Sequence, residues 1–409
     1  MPEVGFTNLL VVALIALVAP LALGFVPKLR MPAVVLEIVA GVVVGPSALG
    51  WVEVDLPVSI VAVLGLAFLL FLAGLEIDLG QLRGSVLRLA LVGYVVTLVL
   101  GLAVGGGLDL LGWTSNPVLV AVALSATSLG LVVPVLKDAR QLENGLGQAV
   151  VAAASVADFA AIVLLSLFFS TNESGTGTRL GLLALFAALV GLTALAALAV
   201  SRSMSLSAVV VRLQDTTAEI RVRAAVLLLV GFVALAAKLG LETILGAFLA
   251  GAVVGLVDKD TSTHPHFRTK LEALGYGFLI PVFFVSSGLR LDLAGLLDQP
   301  SALARVPVLA VALLVVRGVP ALLLARDHDR RSVAAAGLLQ ATSLPFLVTA
   351  SQIGVATGTM TETTAAALIC AGLLSVIAYP ALALGQLRGS AATPPRSSAA
   401  RPAPLPRGS

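Results

Sequence analysis

Charge is what this sequence has least of. Asp, Glu, Lys and Arg make up 11% of the 409 residues, while 59% are hydrophobic and the mean hydropathy is +1.07. Soluble domains carry about 25% charged residues, so this balance excludes a large globular protein and indicates a polytopic membrane protein. Cysteine is almost missing. Cys370 stands alone in an apolar run, which excludes a disulfide framework and a thiolate metal site. Three histidines provide no metal-binding cluster. No glycine-rich phosphate loop or ATPase motif is present, so any transport has to be secondary. An intramembrane aspartyl protease needs two carboxylates sharing a proton at mid-depth, and only one is found. Neither an enzyme nor a bound cofactor is expected. The first apolar stretch follows Glu3 without the basic region and cleavage site of a removable signal peptide, and is expected to be a retained helix.

What the chain does have is long apolar runs. A bilayer-spanning helix needs roughly 20 residues, and breaks at charged, Gly or Pro residues divide the chain into thirteen candidate spans. They lie near 7–26, 32–50, 57–76, 86–111, 116–137, 145–169 and 179–200, then 219–238, 241–257, 269–289, 304–325, 332–355 and 362–386. The expected architecture is all-α, with a transmembrane domain over 1–386. Residues 387–409, rich in Pro, Ser, Ala and Arg, are expected to form a disordered cytoplasmic tail.

The basic residues test this division. With the N-terminus outside, the segments on the cytoplasmic side hold 20 Lys and Arg and the outside loops hold 4, namely Arg179, Lys238, Arg290 and Arg305. Adding or removing one span would scramble that bias, which is what the positive-inside rule requires. The basic residues therefore read as topology and not as a nucleic-acid surface.

Two lone opposite charges stand at similar depth inside spans. Asp158 sits in Ser155-Val156-Ala157-Asp158-Phe159, near the middle of the sixth span, and Arg317 sits in Val315-Val316-Arg317-Gly318 in the eleventh. A mid-membrane aspartate costs at least about 2.5–3.5 kcal/mol, so it is kept where it faces water, an ion or an opposite charge. Arg317 stays protonated at any working pH. It is expected to pair with Asp158 or share one aqueous cavity with it. Asp158, in contrast, can be neutral with a proton or charged beside a cation.

Two spans carry a shared interruption. The tetrapeptide Ala-Thr-Ser-Leu occurs at 126–129 and again at 341–344, seven spans apart and so in helices of opposite direction. Matched interruptions of this kind mark an inverted repeat with two broken helices at a transporter's mid-membrane site. Thr127, Ser128, Thr342 and Ser343 are thus the candidate partners of Asp158 in binding a proton or a transported cation, with Glu37 and Gln340 as accessory polar groups.

The chain resembles the cation:proton antiporter-2 family, the Kef- and Nap-like sodium/hydrogen exchangers. The resemblance spans roughly 7–386. It is carried by Met31-Pro32 through Gly41 with Gly45-Pro46-Ser47, by Phe68 to Leu79, by Ala126-Thr127-Ser128, by Leu245 to Gly251 and by Pro281 to Leu289. It implies a thirteen-helix fold with crossed broken helices, a homodimer working by elevator-like alternating access, the ion-binding aspartate at Asp158 and the family's basic position at Arg317. It further implies exchange of Na⁺ or K⁺ for H⁺ across the plasma membrane. The wider superfamily commonly has Asp-Asp, Asn-Asp or Gln-Asp where this chain has Ala157-Asp158. One carboxylate then leaves one proton per monovalent cation, an electroneutral cycle. A gated cation channel or efflux subunit, a transport-inactive sensor of the same fold, and proton-coupled export of another solute fit the same residues.

Overall fold

The computed structural model describes residues 5–25, 32–76, 84–169, 176–202, 219–258, 266–298 and 300–391. Among these, all regular structure is helical. Helices are forced by the solvent: with no water in the hydrocarbon core, backbone groups have to be satisfied within their own segment. Eleven helical segments are long and apolar enough to cross a bilayer, and the shorter apolar helices Ala33–Val44 and Thr243–Val257 complete the thirteen expected spans. The final helix runs from Glu362 to Ala391. The rest of the expected tail, 392–409, lies outside the described residues, as do the loops holding Lys28, Arg30 and Arg83.

The spans sort into two bundles. The first contains Thr7–Phe25, Ala33–Val44, Leu56–Leu75, Ile220–Lys238, Thr243–Val257 and Phe267–Leu289. The second contains Gly84–Leu110, Pro117–Asp138, Gly145–Phe169, Arg305–Arg326, Arg330–Ala356 and Glu362–Ala391. Helix Thr176–Arg202 leans on Thr243–Val257 and also touches Gly145–Phe169.

Glycine sets how tightly the first bundle closes. A methyl group at Gly74 would overlap the Phe248 carbonyl, and one at Gly251 would overlap the Phe71 carbonyl, so Leu56–Leu75 and Thr243–Val257 touch backbone to backbone. Such close approach replaces the hydrophobic driving force that lipid does not supply between membrane helices.

Both interrupted spans are broken where the tetrapeptide repeats. Pro117–Ser125 and Leu129–Asp138 are separated by extended backbone at Ala126 and Ser128. Arg330–Gln340 and Pro345–Ala356 are separated at 341–344, where Pro345 removes a backbone donor and disfavours helical geometry at Leu344. The first half-helix starts on a local cap: the Asn116 side chain accepts from the Leu119 amide at 3.1 Å, with Pro117 next in the chain. The breaks lie against each other. The Ser128 amide donates to the Thr342 carbonyl at 2.8 Å, and the Thr127 hydroxyl donates to the Gln340 carbonyl at 2.6 Å. Groups that a broken helix would orphan in hydrocarbon are thereby satisfied across the two spans.

Candidate ion-binding site

Asp158 projects from the middle of Gly145–Phe169 toward the first break. Its Oδ1 accepts from the Thr127 amide at 2.9 Å, and the Leu129 amide, the first of the following half-helix, faces the same carboxyl. A carboxylate at a helix N-terminus meets unpaired N–H groups and the positive end of the helix dipole, which favours negative charge there.

The opposite face of Thr127 holds the cation. Arg317, 1% exposed, donates to the Thr127 hydroxyl from Nε at 2.9 Å and from Nη2 at 2.6 Å. Nη1 donates to Thr97 Oγ1 at 3.3 Å and Nη2 reaches the Ala153 carbonyl at 3.5 Å. Asp158 and Arg317 therefore share a residue, and neither form the direct pair nor line the one cavity that their isolation in the sequence suggested. Among the described residues, ion pairs within 4 Å form at Asp258 and Glu219, not at Asp158. One oxygen, Thr127 Oγ1, receives two guanidinium hydrogens and gives its own hydrogen to the second broken helix.

A cavity of about 60 Å³ opens beside the carboxylate, between the two bundles. Thr127, Asp158 and Phe346 line it from the second bundle, and Glu76, Phe248 and Tyr276 from the first. That volume admits a few waters or a partly hydrated monovalent ion. The Asp158 carboxylate and the Ser128 hydroxyl in its lining suit a hard monovalent cation, which prefers carboxylate, hydroxyl and carbonyl ligands.

The remaining sequence candidates take other places. Thr342 lends its carbonyl to Ser128 while its hydroxyl donates to Leu338 O at 3.1 Å. Ser343 is held by Ser375, whose hydroxyl accepts from the Ser343 amide at 3.1 Å. Neither residue lines the Asp158 cavity, which Pro345 and Phe346 reach instead. Gln340 gives its carbonyl to Thr127 and, with Arg317, lines a separate space. Glu37 is buried within Ala33–Val44 in the other bundle. Ala157 is buried against Ala90 and Tyr94.

Four participants are absent from the sequence reading. Thr97 and Ser375 are single hydroxyls in apolar runs, without a motif to mark them. Tyr94 bonds Ser125 at 3.2 Å beside the Arg317 site. Glu76 caps Leu56–Leu75, and from there it enters the Asp158 cavity.

The family described as sodium/hydrogen exchanger, transmembrane, matches residues 13–383. YjbQ of Bacillus subtilis is 34% identical over 395 residues, which cover 93% of this chain and 63% of that protein. The chain thus spans less than two thirds of that relative's length. The Na⁺/H⁺–K⁺ antiporter GerN of Bacillus cereus is 27% identical, covering 90% of this chain and 93% of GerN. In fold, the chain is similar to the sodium proton antiporter MjNhaP1 of Methanocaldococcus jannaschii, with a TM-score of 0.64 at 18% identity over 93% of this chain and 99% of that one. The chain belongs to the sodium/hydrogen exchanger transmembrane family.

Proposed function

We propose that the protein is a secondary antiporter exchanging Na⁺ or K⁺ for H⁺, with proton and cation competing for the Asp158 carboxylate. The observation that carries this reading is the position of that carboxylate: it faces a cavity between two bundles, beside the backbone amides of a broken helix. Ser128 contributes its hydroxyl to the ion and Thr127 its backbone carbonyl, the Thr127 hydroxyl being filled by Arg317 and Gln340. Thr342 and Ser343 shape the site from the second break without touching the cavity. Glu76 adds a carboxyl group to the cavity lining, and Glu37 is an accessory group of the other bundle. Arg317 fixes the break through Thr127 and cannot itself carry the proton.

Asp158 is the carboxylate held by the amide of the break, with the non-polar Ala157 beside it, and Glu76 enters the same cavity from the other bundle; with Asp158 alone exchanging its proton, the cycle is one proton per cation and electroneutral. The second bundle carries the site past the first in alternating access, as two internally packed bodies with the site at their seam allow. The working unit is a homodimer in the plasma membrane, with the N-terminus outside and the C-terminus cytoplasmic, consistent with the 20-to-4 distribution of basic residues.

The test uses purified protein in sealed liposomes with a pH-sensitive dye. After a proton gradient is imposed, Na⁺, K⁺ or Li⁺ is added separately to wild type and to Asp158→Asn. Cation-dependent proton flux in wild type that is lost in the variant supports the reading. Proton-coupled exchange retained by Asp158→Asn overturns it.

A further inference from the structure

Arg317 borders a second cavity that the exchange reaction does not use. It is small, about 20 Å³, and shares no lining residue with the Asp158 cavity. Its polar lining comes from Arg317, Gln340 and Tyr94, and the rest is apolar, including Leu89, Ala153 and Leu324. All three polar residues are more than nine-tenths buried: Arg317 is 1% exposed, Gln340 4% and Tyr94 7%.

Donors outnumber acceptors here. A guanidinium carries five N–H groups. Thr127 takes two, Thr97 and the Ala153 carbonyl take one each, and one on Nη1 is left over. The Gln340 amide makes no side-chain hydrogen bond among the described residues, although its backbone carbonyl is engaged by Thr127. Tyr94 is already committed. The Ser125 hydroxyl donates to the Val122 carbonyl at 2.8 Å, so the Tyr94 hydrogen goes to Ser125.

Charge points the same way. Asp158 is the carboxylate whose charge acts on Arg317, and no ion pair within 4 Å joins the two. In the exchange proposed above, Asp158 is neutralised in both working states, by a proton in one and by the cation in the other. The guanidinium then carries an uncompensated positive charge throughout the cycle, in a setting where an unpaired buried charge is costly. A bound water would occupy the free donors but would leave that charge in place.

We propose that the cavity between Arg317 and Gln340 binds one monovalent anion of halide size, chloride under ordinary conditions. The Arg317 Nη1 and the Gln340 amide donate to it, and the apolar walls strengthen the attraction by excluding water. The anion is a resident counter-charge and is not transported. The charge argument rests on the exchange assigned to Asp158, whereas the binding test does not.

The experiment compares unfolding temperatures of purified wild type in sodium gluconate, chloride and bromide at matched sodium and ionic strength. Chloride and bromide should each raise the unfolding temperature, and the rise should saturate with concentration. Gln340→Leu should lose the shift. Gln340→Glu, which supplies the negative charge covalently, should be stable in gluconate and indifferent to halide, so a result does not hinge on one variant folding. Crystals soaked in bromide should give an anomalous peak between Arg317 and residue 340. Equal unfolding temperatures in gluconate and halide, or a halide shift unchanged in both variants, would overturn the site. An anomalous map without a peak there would do the same. No outcome depends on transport, so failure of the exchange reading and failure of this site are separate results.

Discussion

Asp158 and Arg317 are joined through Thr127, whose amide donates to the carboxylate at 2.9 Å and whose hydroxyl accepts from the guanidinium at 2.6 Å. The two intramembrane charges influence each other without contact. A carboxylate locked in a short salt bridge would have to break it to accept a cation; this one does not. The arrangement leaves the second carboxylate oxygen free of the guanidinium and keeps the break rigid.

Thr127 is accordingly the most sensitive uncharged position at the site. Thr127→Val keeps the backbone amide but removes the oxygen that receives Arg317, leaving buried N–H groups unpaired at a cost of about 1–3 kcal/mol. Exchange should fall about tenfold or more, equivalent to roughly 1.4 kcal/mol in the barrier. Thr127→Ser should retain most activity. Thermal melting in detergent and liposome flux measure the two effects, and equal behaviour of Val and Ser variants would contradict the role given to the hydroxyl.

Arg317 acts through its fork as well as its charge. Lysine supplies a point charge with a different donor geometry, so Arg317→Lys cannot hold Thr127, Thr97 and Ala153 together. The lysine variant should unfold at a lower temperature and exchange more slowly than wild type. A lysine variant matching wild type in both assays would show that charge alone suffices.

The second break depends on a serine far away in the sequence. Ser375 accepts from the Ser343 amide and also donates within the same pocket, to Ser343 O at 2.9 Å or Gly372 O at 2.8 Å. Ser375→Ala should destabilise the fold by about 1–3 kcal/mol. It should slow turnover more than it changes the apparent KM for the cation, because it touches the break and not the ion cavity. Steady-state flux against cation concentration separates the two.

The seam of the first bundle tolerates no added volume. Gly251→Ala places a methyl group on the Phe71 carbonyl, whereas Gly231→Ala meets nothing within 4 Å. Overpacking of this kind typically costs about 1–3 kcal/mol. The Gly251 variant should yield less folded protein by size-exclusion chromatography and melt earlier, while the Gly231 variant should behave as wild type.

Much of this was legible in the sequence because membranes restrict structure to few choices. Apolar length gave the spans, and the tetrapeptide at 126–129 and 341–344 falls on both breaks. Asp158 and Arg317 stood out because charge in hydrocarbon is costly. The mediation by Thr127 was not legible: a sequence shows that two charges share a depth, but not which hydroxyl stands between them. Thr97 and Ser375 were hidden for a related reason, since a lone hydroxyl in an apolar helix usually satisfies itself on the preceding turn, as Thr193 does with Leu189. Glu76 stands at the end of Leu56–Leu75, and only the packing of the two bundles turns that end toward Asp158.

The claim that matters most is that one proton and one cation compete for one carboxylate. It is tested by adding Na⁺ or K⁺ to purified protein in weakly buffered solution and counting the protons released per cation bound. Binding at a shared site is reciprocal, so cation affinity should also weaken as the pH is lowered. Wild type should approach about one proton released per bound cation at a pH where Asp158 starts protonated, and Asp158→Asn should release none. Cation binding to wild type without proton release, or release undiminished in Asp158→Asn, would contradict the account.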